Sequence, residues 1–422
     1  MAATTKDKYI YTFVTKRENR ESIELLRTEA ATDDALVLKI LKGSLTANNK
    51  FYNDFGEKPP LNFFKCYPID SERSNLVDND DNEISLENYA HPVAWGIAQV
   101  EKSELEDVKV GTRYLAQLPI GDSVSFKGAK VDPDKHNALI IERSGVLAAY
   151  NVFQKWDYSD GNINEDLALA CFPGIITGYG LNFNLRHNDY YGADAVVLTA
   201  ASSKVSLALA IYLRHNSEEY PSTNKKIIGY TSESNKEFCQ KTGLYDEVLG
   251  YEDTLKPLTG ATKSSFVVID TSGKGSVYEQ NSKEDNVKIV KLLSVGNASG
   301  TPDKQSTGSS FSIVSTFKLI LGMLGAPRFL LSWLNPTLEI YFIALDLDEL
   351  NALWGKDKAK ATQDEYTKIF CDVVDKNKWI SVRTCDTEES IQQGFSDICQ
   401  GNVPPSETIV LEMTHALEHR KH

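Results

Sequence analysis

A chain of 422 residues has room for two or three domains with hydrophobic cores, at about 100–200 residues per domain. Hydrophobic residues make up 41% and charged residues 25%, which is typical of a folded protein and excludes a disordered one. The 59 acidic residues outnumber the 45 basic ones, and the net charge of −14 argues against a nucleic-acid partner, because such surfaces concentrate lysine and arginine.

Cysteine spacing, the opening residues and apolar runs bear on metal sites, secretion and membrane segments. The six cysteines are scattered, without a CxxC pair or a zinc-site spacing, so we expect reduced, structural thiols and no metal. The opening residues MAATTKDKYIYTF lack the pattern of a secretory signal, which favours the cytoplasm. The charge-free run from Leu167 to Leu185 is interrupted by proline, glycine and asparagine, so we expect it inside the protein and not in a membrane.

The first part of the chain, residues 8–157, predicts an antiparallel β unit. Short β-rich runs alternate there with loops rich in Asp, Asn and Pro. From about residue 190 to 300 the pattern changes to apolar strands alternating with helices of about ten residues, which is typical of parallel βαβ units. An apolar stretch, Phe311 to Trp333, predicts two short helices split by Pro327. The remainder predicts a strand over 338–345, a helix over 363–376, a strand over 379–382, a helix over 387–400 and a closing strand.

The segment GADAVVLTAASSKVSLALAIYLRH carries the clearest functional signal. It predicts a buried strand, a tight loop of small residues and a helix over 204–215, so that backbone N–H groups and the positive helix end suit a phosphate. The usual dinucleotide fingerprint has glycines in this loop, and here they are replaced. Ser202, Ser203 and Lys204 could supply hydrogen bonds or charge instead. The alternative is an ordinary strand, turn and helix without a ligand.

The next strand, in KIIGYTSESNKEF, lies where a nucleotide-binding fold meets the adenine ribose. An NAD site normally has Asp or Glu at the end of this strand, to accept a hydrogen bond from the 2′-hydroxyl. Here Thr231 and Ser232 stand at that end, and Lys236 follows, which fits a 2′-phosphate better and favours NADP(H). Glu233 argues in the other direction, because a carboxylate pointing inward would repel that phosphate.

Taken in order, the segments resemble the medium-chain dehydrogenase/reductase superfamily, on its zinc-free quinone-oxidoreductase and enoyl-reductase side. LTAASSKVSLALAIYL resembles the A-x-x-G-x-x-G phosphate loop with each glycine replaced, and TANN, ASSK, GLYD and ALDLDEL resemble a branch of bacterial and fungal proteins. The resemblance implies an α/β fold in two domains. A GroES-like β-barrel catalytic domain would comprise 1–157 and 338–422, and a Rossmann-type doubly wound parallel sheet at 158–337 would bind NADP(H).

The resemblance also implies further cofactor-binding residues. In YTSESNKEFCQKTGLYDEVLGYED, a lysine and a tyrosine that commonly hold the 2′-phosphate match Lys236 and Tyr251. Thr177 stands at the T-x-Y position of the helix that enters the nucleotide domain. The phosphate loop, the D-x-x-G turn and the strand that passes the nicotinamide add one residue each, namely Val205, Thr271 and Gly296.

Two departures from the zinc enzymes of this superfamily predict a zinc-independent mechanism. HPVAWGIAQV has Ala-Trp-Gly where zinc alcohol dehydrogenases carry Gly-His-Glu, and the four-cysteine structural lobe is absent. His91 nearby is expected to cap or pack. In TANNKFY, which matches the family's active-site segment, Tyr52 could donate a proton and Asn48 could hydrogen-bond a carbonyl. The alternative for Tyr52 is a partly buried packing residue.

The predicted function is therefore the reduction of a carbonyl, enone or quinone-type small molecule by hydride transfer from NADPH. The stretch 311–333 could line a pocket for an apolar carbonyl substrate, or belong to the core or to a homodimer surface. Two other functions remain open for the same fold. One is a non-catalytic nucleotide sensor or scaffold, and the other is lyase or hydratase chemistry.

Overall fold

The computed structural model describes residues 9–29, 34–58, 61–69, 85–143, 145–146, 148–158, 161–216, 221–273, 275–295, 336–341 and 343–418. The chain divides into two compact units. Unit 1 comprises Met1–Ala170 and Ser381–His422, and unit 2 comprises Cys171–Ile380.

The strands, in chain order, are β1 Tyr9–Lys16, β2 Asn19–Glu29, β3 Leu36–Leu45, β4 Tyr89–Ala90, β5 Val93–Ser103, β6 Arg113–Pro119, β7 Ser123–Phe126, β8 Lys130–Asp132, β9 Ala138–Ile140, β10 Val152–Lys155, β11 Ala195–Leu198, β12 Lys226–Thr231, β13 Glu247–Gly250, β14 Ser264–Asp270, β15 Val287–Ser294, β16 Leu338–Ile340, β17 Ser381–Cys385 and β18 Glu407–Glu412. The α-helices are α1 Ala47–Asp54, α2 Glu165–His187, α3 Lys204–Arg214, α4 Lys236–Thr242, α5 Ser276–Asn281, α6 Ile343–Trp354, α7 Lys356–Asn377, α8 Glu388–Gln400 and α9 Met413–Glu418.

Unit 1 is built on β-sheet, as predicted. Among the described residues, nine strands form one sheet in the order β17-β18-β3-β5-β6-β10-β9-β8, with β7 also paired to β3, and β2-β1-β4 form a smaller sheet. All these pairs are antiparallel except β17 with β18. In strand β3, Leu36, Leu38 and Ile40 alternate with less buried residues. One face of this strand therefore packs in the core of unit 1.

The charge-free run from Leu167 to Leu185 lies within helix α2. Its residues between Leu167 and Leu185 are mostly buried in the protein, as expected. Two of its glycines allow α3 to approach closely: a Cβ at Gly174 would lie 2.8 Å from the Lys204 backbone, and one at Gly178 would lie 2.8 Å from the Ala208 Cβ. No α-helix in the described part of the chain is both long and apolar enough to cross a bilayer.

Unit 2 contains a parallel sheet in the order β13-β12-β11-β14-β15-β16. Counted from β11 as the first strand, this is the order 3-2-1-4-5-6 of a doubly wound Rossmann sheet. Its core includes Val197, Ile228, Phe266 and Val268. The predicted α/β fold class is confirmed. The chain reverses its direction of travel between β11 and β14, and ligands of such sheets bind at the carboxyl ends of these strands.

The boundaries of the two units differ from the predicted ones. We predicted a return to the first domain at residue 338, but β16 pairs in parallel with β15, with Leu338 opposite Leu292. Unit 2 continues to Ile380, and the other division falls after Ala170 and not after residue 157. A short strand has the same local sequence signal in either sheet, so its partner decides where it belongs. The predicted helices of 311–333 lie outside the described residues.

Candidate functional site

The loop after β11 has the outline of a phosphate loop, and its own side chains shape it. Ser203 is the N-cap of α3, and its Oγ accepts the Ser206 N–H at 3.2 Å. Ala200 has a φ of +43°, in the left-handed region that favours glycine. Holding an alanine there costs about 1 kcal/mol, so the surroundings must impose this conformation.

Two tyrosine side chains and one backbone carbonyl hold this loop in place. The Tyr251 hydroxyl accepts the Ala200 N–H at 3.0 Å, and the Tyr245 hydroxyl donates to the Ala201 carbonyl at 2.6 Å. The Ala201 N–H donates to the Tyr230 carbonyl at 2.9 Å. Burial raises the pKa of all three tyrosines, so they stay neutral. The Tyr251 and Tyr245 side chains therefore brace the loop, and the small residues of the loop gave no sequence signal for this bracing.

Asp270, at the carboxyl end of β14, anchors the switch point. Its buried carboxylate accepts from the Thr199 Oγ1 at 2.7 Å, the Ser272 Oγ at 2.6 Å and the Gly275 N–H at 2.9 Å. The Thr271 Oγ1 donates to the Thr199 carbonyl at 2.6 Å. The ends of β11 and β14 are thus tied together by side chains. The sequence signal for Asp270 is a single carboxylate at the end of the apolar run FVVI.

A second group of hydroxyls meets at the end of β12. The Thr231 Oγ1 lies 3.5 Å from the Ser202 Oγ, and the Asn235 Nδ2 donates to the same Ser202 oxygen at 3.2 Å. Thr231 and Ser202 are buried, whereas Ser232 is exposed and lies 3.0 Å from the Ser234 Oγ. The loop after β11 is therefore joined to the end of β12, in part through Asn235, which the sequence analysis did not single out.

Lys236 lies beside two carboxylates. Its Nζ is 2.8 Å from the Glu233 Oε2 and 3.6 Å from the Asp253 Oδ2. A hydrogen bond and the negative charge of Glu233, with the charge of Asp253, raise the pKa of Lys236. The ammonium also approaches the end of β13, because a Cβ at Gly250 would lie 3.1 Å from it. Lys236 is therefore cationic and forms ion pairs with Glu233 and Asp253.

The remaining predicted cofactor residues fall in three places. Lys204 and Val205 form the first turn of α3, half-buried, and the Thr271 Oγ1 lies 3.2 Å from the Ser206 Oγ in the same turn. Thr177 is half-buried on α2. Gly296 lies outside the described residues.

In unit 1, the candidate catalytic tyrosine is buried on helix α1. The Tyr52 hydroxyl accepts the Trp95 Nε1–H at 3.1 Å, and the Tyr52 ring packs 4.7 Å from the Phe63 ring, centroid to centroid. Burial raises the pKa of Tyr52 to about 12, and the hydrogen bond from Trp95, with further effects of Asn48 and Gln117, opposes this rise. Asn48 lies one turn earlier on α1 and is half-buried. Tyr52 is thus held as a neutral phenol.

Gln117, on β6, completes this cluster and was missed by the sequence analysis. Its Oε1 accepts from the Cys66 Sγ at 3.7 Å, and its carbonyl accepts from the Tyr67 hydroxyl at 2.7 Å. The side-chain Nε2 is buried and has no hydrogen-bond partner among the described residues. Gln117 is 51 residues from Cys66 and 50 from Tyr67 in sequence, so only the fold brings it to them.

The segment HPVAWGIAQV places two of its residues near this cluster. Trp95 donates its indole N–H to the Tyr52 hydroxyl. The His91 Nδ1 lies 3.0 Å from the Tyr67 carbonyl oxygen, and burial lowers the His91 pKa. Within the described ranges, no three His, Cys, Asp or Glu side chains are grouped so that they could hold a metal ion. All six cysteines are buried and unbridged.

The strand order and the loop at the switch point define unit 2 as a doubly wound, Rossmann-type domain. A family described as "Protein of unknown function (DUF2855)" matches residues 44–404, and the chain belongs to this family. None of the curated proteins matches it.

Several solved structures resemble the chain at low identity. Escherichia coli quinone oxidoreductase complexed with NADPH is 15% identical, with 96% of this chain and 99% of that chain covered and a TM-score of 0.49. TarJ from S. aureus is 13% identical, with 96% and 99% covered and a TM-score of 0.49. CurA from Vibrio vulnificus, in complex with NADPH, is 12% identical, with 95% and 98% covered and a TM-score of 0.48.

Proposed function

We propose that the protein is a zinc-independent, NADP(H)-dependent oxidoreductase of the medium-chain dehydrogenase/reductase type, which reduces a carbonyl, enone or quinone-type small molecule. The observation that carries this proposal is the polar loop at the switch point of the unit 2 sheet, between β11 and β14. In sheets of this order, that edge binds nucleotides.

The donors at this edge fit the phosphates of a dinucleotide. The first turn of α3, at Lys204 and Val205, contributes backbone N–H groups that a helix cannot satisfy internally, at the positive end of the helix. Ser202 and Ser203 add hydroxyls, and Thr271 adds another beside Ser206. We assign these groups to the pyrophosphate.

A second set of groups fits the adenosine ribose and its 2′-phosphate. Thr231 ends the second strand of the sheet, Ser232 and Lys236 follow it, and Tyr251 follows the third strand. We propose that Thr231 and Ser232 accept or donate at the ribose and that Lys236 binds the 2′-phosphate. Tyr251 acts on the same nucleotide through the Ala200 N–H that it holds.

When bound, the nicotinamide supplies the hydride. We assign the proton to Tyr52, because a phenol with a pKa of about 12 keeps its proton at neutral pH and can donate it to a developing oxyanion. The Trp95 N–H occupies one acceptor site of the Tyr52 oxygen and so orients the hydroxyl. Asn48 is proposed to donate a hydrogen bond to the substrate oxygen. The aromatic neighbours of Tyr52 favour an uncharged, apolar substrate.

A second candidate function is a nucleotide sensor or scaffold without turnover, or non-redox chemistry in the same fold. The loop favours it through one feature: the Ala200 and Ala201 N–H groups are already bonded to Tyr251 and Tyr230. A phosphate that needed these two donors would have to displace the protein's own groups.

A turnover assay separates the candidates. The purified protein is mixed with NADPH and a panel of ketones, enones and quinones, and the loss of reduced nicotinamide is followed by absorbance together with product analysis. The proposal predicts oxidation of NADPH with at least one class of acceptor. Saturable NADPH binding without turnover favours the sensor, and product without NADPH oxidation favours non-redox chemistry. Absence of NADPH binding at about 1 mM would refute both the proposed reductase and the nucleotide sensor.

A further inference from the structure

We propose that Glu233 sets the cofactor preference of unit 2, by competing with the 2′-phosphate for Lys236 and by accepting a hydrogen bond from the 2′-hydroxyl when that phosphate is absent. This inference rests on the proposed function and names the residue that discriminates between NADPH and NADH. It differs from the usual account of such sites, because the discriminating carboxylate and the phosphate-binding lysine are neighbours that pair with each other.

The local chain geometry produces this pairing. Strand β12 ends at Thr231, and a single 3₁₀ turn over Glu233–Asn235 leads into α4, which begins at Lys236. Side chains three residues apart in such a turn lie on the same side. The Glu233 Oε2 therefore reaches the Lys236 Nζ at 2.8 Å, at the end of the strand where the adenine ribose is bound in this class of sheet.

The two partners differ in how firmly they are held. The Lys236 side chain is 24% exposed and also lies 3.6 Å from Asp253, whose Oδ2 accepts the Gly250 N–H at 2.7 Å. Glu233 is 84% exposed. An ion pair with so exposed a partner contributes little stability, so Glu233 can turn away from Lys236 at small cost. Asp253 is bound to the backbone and stays near the lysine.

The charges of Glu233 and Asp253 reduce the preference for NADPH that Lys236 alone would give. A 2′-phosphate gains Lys236 but meets the charges of Glu233 and Asp253, whereas a 2′-hydroxyl can donate to the Glu233 carboxylate without repulsion. Removing the charge of Glu233 while keeping its shape should strengthen NADPH binding and weaken NADH binding slightly. Because the pair is exposed, added salt should reduce the difference.

The experiment compares wild type with Glu233→Gln, by calorimetric titration with NADPH and with NADH. We expect the ratio of the two dissociation constants, NADH over NADPH, to rise about fivefold in the variant, mainly through tighter NADPH binding. Glu237→Gln is the matched control, since Glu237 forms a similar exposed pair, 2.6 Å from Lys241 on the same helix. This control should leave the ratio unchanged.

The outcomes separate the two proposals. If both nucleotides bind to wild type and Glu233→Gln leaves the ratio unchanged, or lowers it, the role of Glu233 is wrong while the proposed function stands. An equal rise in both variants would mean a general charge effect and would also overturn that role. If neither nucleotide binds to folded wild type, the proposed function fails and the inference fails with it.

Discussion

The two candidate centres of this protein satisfy their polar groups in opposite ways. At the switch point of unit 2, the carboxylate of Asp270 and the loop after β11 are bonded to neighbouring side chains and backbone. Around Tyr52 in unit 1, the cluster includes a buried Gln117 Nε2 with no partner among the described residues. A ligand of unit 2 must therefore fit donors that the protein has already arranged, whereas the cluster of unit 1 keeps one buried amide donor without a partner among the described residues.

The largest effect is expected from Asp270→Ala, which removes the carboxylate that is hydrogen-bonded to the neighbouring groups of unit 2. The change leaves the buried Thr199 and Ser272 hydroxyls and the Gly275 N–H without their acceptor. We expect the free energy of unfolding of unit 2 to fall by about 3 kcal/mol and nucleotide binding to be lost.

Calorimetric unfolding and a binding titration check this prediction. Asp194→Ala is the matched control: Asp194 accepts from the Ser265 Oγ at 2.7 Å near the opposite end of the same two strands, and it is exposed. Its loss should be much smaller. Similar losses for both variants would show that Asp270 is not the anchor.

The next largest effect tests unit 1. Tyr52→Phe removes the proposed proton donor, and turnover should fall by about 100-fold while the affinity for NADPH stays unchanged. Tyr114→Phe, at a buried tyrosine on β6 of the same unit, is the control and should keep most of its activity. If Tyr52→Phe turns over at the wild-type rate, Tyr52 is a packing residue.

The pH dependence sharpens the same assignment. An ordinary tyrosine loses its proton near pH 10, whereas burial raises the pKa of Tyr52 to about 12. The donor form is therefore kept below pH 12, and a pH profile of turnover in wild type should show no loss from Tyr52 up to about pH 10. A fall centred well below pH 10 that disappears in Tyr52→Phe would contradict the buried phenol.

A smaller effect is expected for Lys236→Ala. This change removes the only partner that the proposal gives to the 2′-phosphate and leaves Glu233 and Asp253 in place. We expect NADPH to bind about tenfold more weakly and NADH nearly as before. Lys241→Ala, on the same helix, serves as control. Equal losses for both cofactors would refute the assignment of Lys236.

The smallest effect concerns the bracing tyrosine. Tyr251→Phe leaves the Ala200 N–H without its acceptor, so we expect a loss of about 1 kcal/mol in stability and faster hydrogen exchange at Ala200. The affinities for NADPH and NADH should change by the same factor. If NADPH alone is weakened, Tyr251 binds the 2′-phosphate directly, as the family resemblance implies.

The two units also differ in what their sequence could predict. The alternation of strands and helices in unit 2 is local, so the parallel sheet and the loop after β11 follow from periodicity and short-range order. The bracing by Tyr245 and Tyr251 does not, because a tyrosine gives the same local signal whether it packs or hydrogen-bonds to a backbone group. Lys236 could be chosen from its place after β12, while its pairing with Asp253 depends on how β13 is aligned.

For unit 1, the sequence predicted the antiparallel β class but not the side-chain cluster. Short β-rich runs between loops rich in Asp, Asn and Pro predicted antiparallel strands. The cluster around Tyr52, however, joins α1, β5 and β6 across separations such as the 43 residues from Tyr52 to Trp95. Gln117 has no local feature that marks it among the residues of β6. The boundary at residue 338 failed for the same reason, since the pairing of β16 with β15 is a contact between distant segments.

The central claim, that unit 2 binds NADP(H), is tested most directly by calorimetric titration of the wild-type protein with NADPH. The account predicts one saturable site per chain, with a dissociation constant of about 1–100 μM, that Asp270→Ala abolishes and Tyr52→Phe leaves intact. Absence of saturable binding up to about 1 mM, with the protein shown to be folded, would contradict it.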